Sequence, residues 1–309
     1  MTTFAKAGFR SLNYDSFRPH YPSSFYDILA KYVGSKDIDK TIDLGCGTAV
    51  ATYPLLNISK YVYGTDLSPT MIKTANDKKE ERLKQMGITD SSRIEFGVSA
   101  VEDLKVEEAS YDLITAAQCI HWFKDFDSFF KSAAKYLKPK GVLAYWYYID
   151  PVFIGFQGPS DESKSKEEIF ETANKIYKKY AYEDPNWFGQ YWEQPGRNIL
   201  RDTLVEVDQS IPKDLFEDIK IKKRNFGIGN DFDEEDLQIK KVQVPLIAFV
   251  KYVSTFGAVH NYAEAHGEGS IEKFEESILQ DFEMELGWDR EKTTVDYAWN
   301  TGYTFMRKK

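Results

Sequence analysis

The segment Thr41-Ile42-Asp43-Leu44-Gly45-Cys46-Gly47-Thr48-Ala49 limits the fold more than any other part of this chain. A short apolar strand runs into a glycine turn that opens a helix, which brings backbone N–H groups and a positive helix end close to a ligand. The dinucleotide pattern G-x-G-x-x-G is not met, because Val50 stands where its third glycine belongs. An acid two residues before the first glycine points elsewhere: Asp43 can pair with or orient a cationic group, which a pyrophosphate ligand lacks. Asp66 ends the next strand, 23 positions after Asp43, where a carboxylate can grip the two hydroxyls of a ribose. Each piece alone has a plain reading, a turn and a helix cap. Together, on the first two strands of an α/β sheet, they predict a nucleoside site.

The rest of the chain supplies that sheet. The hydrophobic pattern predicts a helix over Pro22–Val33 stopped by Gly34, and strands at Lys40–Leu44, Tyr61–Asp66, Ile94–Val98, Tyr111–Thr115 and Val142–Tyr148. Ser68-Pro69 opens a helix expected to run to Met86, and Asp127–Leu137 reads as another. Strands alternating with helices mean a parallel sheet with right-handed crossovers. From Asp150 to about Pro212 no strand is evident, and the texture is that of a helical insertion over one end of the sheet. A strand at Phe216–Phe226, helices at Val244–Tyr262 and Ser270–Leu286, and a closing strand at Thr293–Met306 follow. The expected organisation is one elaborated domain: residues 1–150 carry the cofactor site, 151–212 form the insertion, and 213–309 complete the same domain.

Composition excludes several functions. Forty Lys+Arg against 49 Asp+Glu leave a net charge of −9, which argues against nucleic-acid binding. Apolar runs such as Gly141–Ile149 are core-sized, and the N-terminal residues show no signal-peptide pattern, so no membrane span and a cytoplasmic location are expected. Two cysteines, Cys46 and Cys119, make no disulfide scaffold, and they read as small fillers near the cleft. His20, His260 and His266 have no metal-binding spacing, so no metal is expected. The acidic run Asp231–Asp236 reads as a solvated loop, and a monomer is the default.

The D-x-G-x-G turn at Asp43–Gly47 and the acid at Asp66 resemble those of class I S-adenosylmethionine-dependent methyltransferases. The resemblance implies a Rossmann-like doubly wound α/β sheet, with the helical insertion capping the active site, and S-adenosylmethionine as cofactor, leaving as S-adenosylhomocysteine. Gly45 and Gly47 would admit the methionine part, Asp66 the ribose, and Leu67 and Met71 would border the adenine. Ala100 and Val101 take the position that contacts the adenine edge, and Gln118 lines the cleft. Tyr14, Arg18, Asp43, Cys46 and His121 complete the implied cofactor contacts. Ala49 stands where the family often has a third glycine, a small perturbation.

A narrower resemblance, to fungal trans-aconitate methyltransferases and their cantharidin-methylating relatives, rests on Tyr14…Arg18-Pro19…Tyr21-Pro22, Cys119–Phe123 and above all Tyr191–Arg197 in the insertion. It implies a monomethyl ester of trans-aconitate or a related small polycarboxylate. A carboxylate is ionised at neutral pH, so no catalytic base is assigned; the enzyme must position the acceptor and exclude water. Arg197 is the first candidate to hold the acid, with Arg18 and Arg201 behind it; Arg18 could equally bind the cofactor's carboxylate. His121 is a hydrogen-bonding candidate or a structural histidine, and Trp122, Trp146, Tyr147 and Trp192 are candidates to line the pocket. Methylation of another acid, such as isopropylmalate or a cantharidin-like toxin, and a cofactor-binding regulator without turnover are the alternatives.

Overall fold

A computed structural model describes residues 19–226, 232–267 and 269–309. Five strands pair in parallel: β1 (Ile38–Leu44), β2 (Ser59–Asp66), β3 (Ile94–Val98), β4 (Tyr111–Ala117) and β5 (Leu137–Gln157), in the order β3-β2-β1-β4-β5. Three more, β6 (Phe216–Arg224), β7 (Lys240–Pro245) and β8 (Thr294–Lys308), are antiparallel additions. β8 lies along β5, and β6 and β7 share its other edge. The strand order reverses between β1 and β4, which leaves a crevice beyond their carboxyl ends, where open α/β sheets take ligands. The glycine turn ends β1 and Asp66 ends β2 at that crevice.

Both sheet faces are covered, which is why the central strands read as apolar runs. One face packs Phe25 and Leu29 of helix Ser23–Val33, whose last turn ends as expected on Gly34. The other packs Phe129 and Phe130 of helix Phe126–Tyr136, capped by the Asp125 carboxylate accepting from the Ser128 N–H.

Several boundaries differ from the sequence expectation. The helix expected from Ser68 to Met86 breaks at Lys78 into Pro69–Asp77 and Lys79–Gln85. Near the break the Thr74 hydroxyl and Asn76 amide donate back to the Thr70 and Ile72 carbonyls, side-chain competition that weakens a helix. The expected insertion starts late, because β5 continues through Pro151 to Gln157. Proline is tolerated there: pairing with β4 ends at Trp146, and the β5–β8 ladder is irregular between Tyr148 and Pro151. The stretch Val244–Tyr262 is not one helix but the end of β7 followed by helices Leu246–Val253 and Gly257–His266.

The cap over the crevice draws on two stretches of chain rather than the insertion alone. Helix Lys166–Lys178 packs on Ser270–Leu286, and the turn Phe188–Tyr191 packs on Gly257–His266. Asp231 lies outside the described residues, and the rest of that acidic run is not simply solvated: Asp236 is buried, with Lys222 and Arg224 of β6 each 3.5 Å away.

Trp146 and Tyr147 do not line a pocket. Strand alternation sends them to opposite faces, Trp146 against Phe25 at a ring separation of 5.0 Å and Tyr147 into the second core, its hydroxyl donating to the Thr203 carbonyl at 3.2 Å. Trp146 has no exposed surface. Trp146→Ala is therefore expected to cost roughly 3–5 kcal/mol of stability, read from the urea midpoint, without a specific loss of cofactor affinity in the protein that remains folded.

Candidate active site

A cavity of about 520 Å³ opens at the crevice and is lined by the glycine turn, Asp66 and the loop after β3. Gly45 and Gly47 adopt φ of 61° and 56°, a left-handed region in which a side chain is strained. A Cβ on Gly47 would meet nothing within 4 Å, so the turn presents bare backbone to the cavity. Ala49 occupies the same region, with φ 67°. Its strain, the unfolded-state entropy of a glycine and one buried methyl group are of similar size, each about 1 kcal/mol. Ala49→Gly is expected to shift stability by no more than about 1 kcal/mol and leave S-adenosylhomocysteine affinity within about twofold, by denaturation and calorimetry.

Asp66 is held by two main-chain donors, Gly47 N–H to Oδ2 at 2.9 Å and Ser68 N–H to Oδ1 at 2.8 Å. Each carboxylate oxygen keeps a second lone pair, which suits a vicinal diol. Burial raises its pKa against the pull of those two N–H groups. Leu67, about half exposed, and the buried Met71 continue the wall, with Ala100 and Val101 opposite. Cys46 also lines the cavity, and burial pushes both its thiol and that of Cys119 up, consistent with fillers rather than nucleophiles.

Asp43 does not face the cavity. It is fully buried behind the turn and accepts hydroxyl hydrogen bonds from Thr115 and Thr52, both at 2.6 Å, which tie β1 to β4 and to the helix after the turn. Burial, its largest influence, raises its pKa from 3.8 to about 6. The folded state thus binds this proton more tightly than the unfolded chain. Its ionisation costs stability as pH rises from about 4 to about 6, the cost is fully present above pH 6, and it amounts to roughly 3 kcal/mol. Relative to wild type, Asp43→Asn is expected to be more favourable at pH 7 than at pH 4.5 by about 2 kcal/mol in urea denaturation, since part of the cost is already present at pH 4.5.

Gln118 reaches the cavity wall, but its amide is engaged. Nε2 donates to the Tyr148 carbonyl and Oε1 accepts from the Tyr148 N–H, both at 2.8 Å, clamping β5 where it leaves β4. Tyr148 thereby becomes part of the wall, a residue that sequence spacing did not single out. Tyr14 and Arg18 lie outside the described residues.

A second, smaller cavity of about 60 Å³ shares Gln118, Trp122 and Tyr148 with the first and extends under the cap. Here the structure brings together the remaining candidates: His121, Trp122, Trp192 and Arg197. His121 belongs to this cavity rather than to the lining of the larger one. Its ring is buried, and burial, followed by the nearby Arg197 charge, lowers its pKa to about 3, so it is neutral at pH 7. Gly196 allows this closeness, since a Cβ there would overlap the Trp122 indole and crowd the His121 carbonyl. The Arg197 guanidinium lies 3.9 Å from the Trp192 ring centroid and donates to Asp150 at 2.6 Å. It is neither free nor paired with a surface acid. Arg201 points to the Tyr182 ring, 3.9 Å away, and does not line the cavity.

Comparison with known proteins places this geometry. Residues 42–145, from β1 into β5, match the family model described as a methyltransferase domain. The chain is an S-adenosylmethionine-dependent methyltransferase. A probable S-adenosylmethionine-dependent methyltransferase of Saccharomyces cerevisiae is 29% identical over 222 residues, covering 71% of this chain and 68% of the relative. A candidate methyltransferase of Dictyostelium discoideum is 28% identical over 218 residues, 71% of each chain. Among solved structures, a candidate type II methyltransferase from Anaeromyxobacter dehalogenans shares the fold, with a TM-score of 0.56, 18% identity and coverage of 94% and 97% of the two chains. The residues present suit that cofactor: the bare turn at Gly47 would take the amino acid, the Asp66 carboxylate the ribose diol, and the apolar wall at Leu67 and Met71 the adenine. Among the described residues, no cluster could hold a metal ion and no helix is long and apolar enough to cross a membrane.

Proposed function

We propose that this methyltransferase esterifies a carboxylate of a small acid, with trans-aconitate or a related polycarboxylate as the first acceptor to test. S-adenosylmethionine, when bound, supplies an electrophilic methyl group with a neutral leaving group. The observation that carries the reading is the second cavity, which joins the cofactor cleft and sets the Arg197 guanidinium beside a histidine stripped of basicity. An imidazole whose pKa is about 3 is too weak a base for an alcohol or ammonium acceptor. A carboxylate arrives already ionised and asks only for a cation, alignment and a dry surround. Arg197 is the cationic group in this lining and His121 remains a hydrogen-bonding one; no residue is assigned as catalytic base.

A second reading has its own support. Trp122, Tyr148, Trp192, Tyr252 and Phe256 give the acceptor cavity an aromatic wall, which favours an acid with a compact apolar body, cantharidin-like, over a fully polar one. Turnover of trans-aconitate, cis-aconitate, isopropylmalate and cantharidic acid, with product mass read for each, separates the two. Glu193 also lines the cavity and is the carboxylate to which a hydroxyl acceptor would have to lose its proton. Glu193→Gln is expected to change kcat by less than about threefold on a carboxylate acceptor. A loss of a hundredfold or more would reject carboxyl transfer in favour of base-assisted methylation.

A further inference from the structure

Asp150 lies on β5 at the irregularity between Tyr148 and Pro151, where the strand turns its side chain under the cap. Its carboxylate accepts from Arg197 at 2.6 Å, from the Tyr177 hydroxyl at 2.6 Å and from the Tyr182 hydroxyl at 2.7 Å. These partners come from two segments of the cap, Tyr177 and Tyr182 from the helical stretch 166–183 and Arg197 from the helix Gly196–Arg201. The Arg197 side chain is 7% exposed and that of Asp150 19%, so the pair is shielded from salt and bulk water. Arg197 Nε is buried without a partner on the other side of the fork. In the lining of the acceptor cavity the charged side chains are Arg197 and Glu193, and Asp150, paired with Arg197, adds a second negative charge beside them.

Building on the carboxyl reading above, we infer that Asp150 determines acceptor charge: it cancels the Arg197 cation so that the pocket takes one carboxylate and disfavours a second beside it. A single carboxylate still finds directional N–H donors on the planar fork, which is fixed by the Trp192 face and the Tyr182 hydroxyl as well as by Asp150. A second carboxylate on the Asp150 side meets a like charge at low local dielectric. Polycarboxylates therefore bind with their further carboxylates turned toward the open cofactor cleft.

The test uses butyrate, glutarate and tricarballylate as inhibitors or acceptors of the full-length enzyme, with one, two and three carboxylates on similar carbon frames. In wild type the inhibition constant is expected to stay level or rise with the number of charges. In Asp150→Asn, tricarballylate is expected to bind about tenfold more tightly and butyrate no more than about threefold, with S-adenosylhomocysteine affinity within about twofold of wild type. Tyr177→Phe removes a hydrogen bond from Asp150 but neither charge, and is expected to leave the wild-type order intact. An unchanged order in folded Asp150→Asn overturns the inference while leaving the carboxyl reading standing. If that variant does not fold, wild type decides alone: a tenfold or greater fall in the inhibition constant from butyrate to tricarballylate overturns it. Failure of wild type to bind any acid overturns both.

Discussion

Asp66→Ala is expected to weaken S-adenosylhomocysteine binding by about a hundredfold or more. A carboxylate accepting two hydroxyl hydrogen bonds contributes roughly 1.5–3 kcal/mol for each, and each 1.4 kcal/mol is a factor of ten in affinity. The same substitution releases the Gly47 and Ser68 N–H groups, so it also loosens the turn that faces the ligand. Asp66→Asn keeps an acceptor for one of those groups and should lose less, about tenfold. Calorimetric titration of each variant reads the difference directly, and equal affinity in wild type and Asp66→Ala would remove the ribose role. Because the residue sits at the edge of the larger cavity, acceptor preference should not change with it.

Arg197→Ala should act on the other cavity. On the proposed reading, kcat/KM for the acid acceptor falls by about a hundredfold or more, since the cation that faces the carboxylate is lost. S-adenosylhomocysteine affinity should remain within about twofold, because Arg197 does not line the larger cavity. Stability also suffers: Asp150 would be left largely buried without its cation, a change that costs roughly 3–5 kcal/mol. Arg197→Lys should recover only part of the activity, because an ammonium neither stacks on Trp192 nor offers a planar fork. A variant that keeps wild-type kinetics while losing stability would make Arg197 purely structural.

The two effects separate cleanly because the sequence encodes the two cavities in different ways. The cofactor cavity is local. A strand, two glycines and an acid at the end of the next strand frame it, and Gly45, Gly47, Asp66, Leu67, Met71, Ala100 and Val101 line one cavity there, which is the place the family resemblance assigns to the cofactor. For Asp43, spacing gives the distance from the turn but not the direction of the side chain, which strand alternation sends between Thr52 and Thr115. The same alternation hid Trp146 and Tyr147, whose aromatic character suits a core as well as a pocket.

The acceptor cavity is assembled from distant segments. Asp150 meets Tyr177, Tyr182 and Arg197 only once β5 has continued past Pro151 and the cap has closed over it, and no local pattern announces that meeting. Tyr252 and Phe256 reach the cavity from a stretch that read as one featureless helix. Of the Tyr191–Arg197 segment, Trp192 and Arg197 line the smaller cavity. Its motif could not show that the arginine already has a carboxylate partner.

Transfer of labelled methyl from S-adenosylmethionine to trans-aconitate, followed by release of the label in mild base, reads the bond that is made. Label in the acid fraction that is freed by base is the expected result, as a methyl ester requires. Label that stays bound through base treatment, as in an ether or an amine, would contradict it.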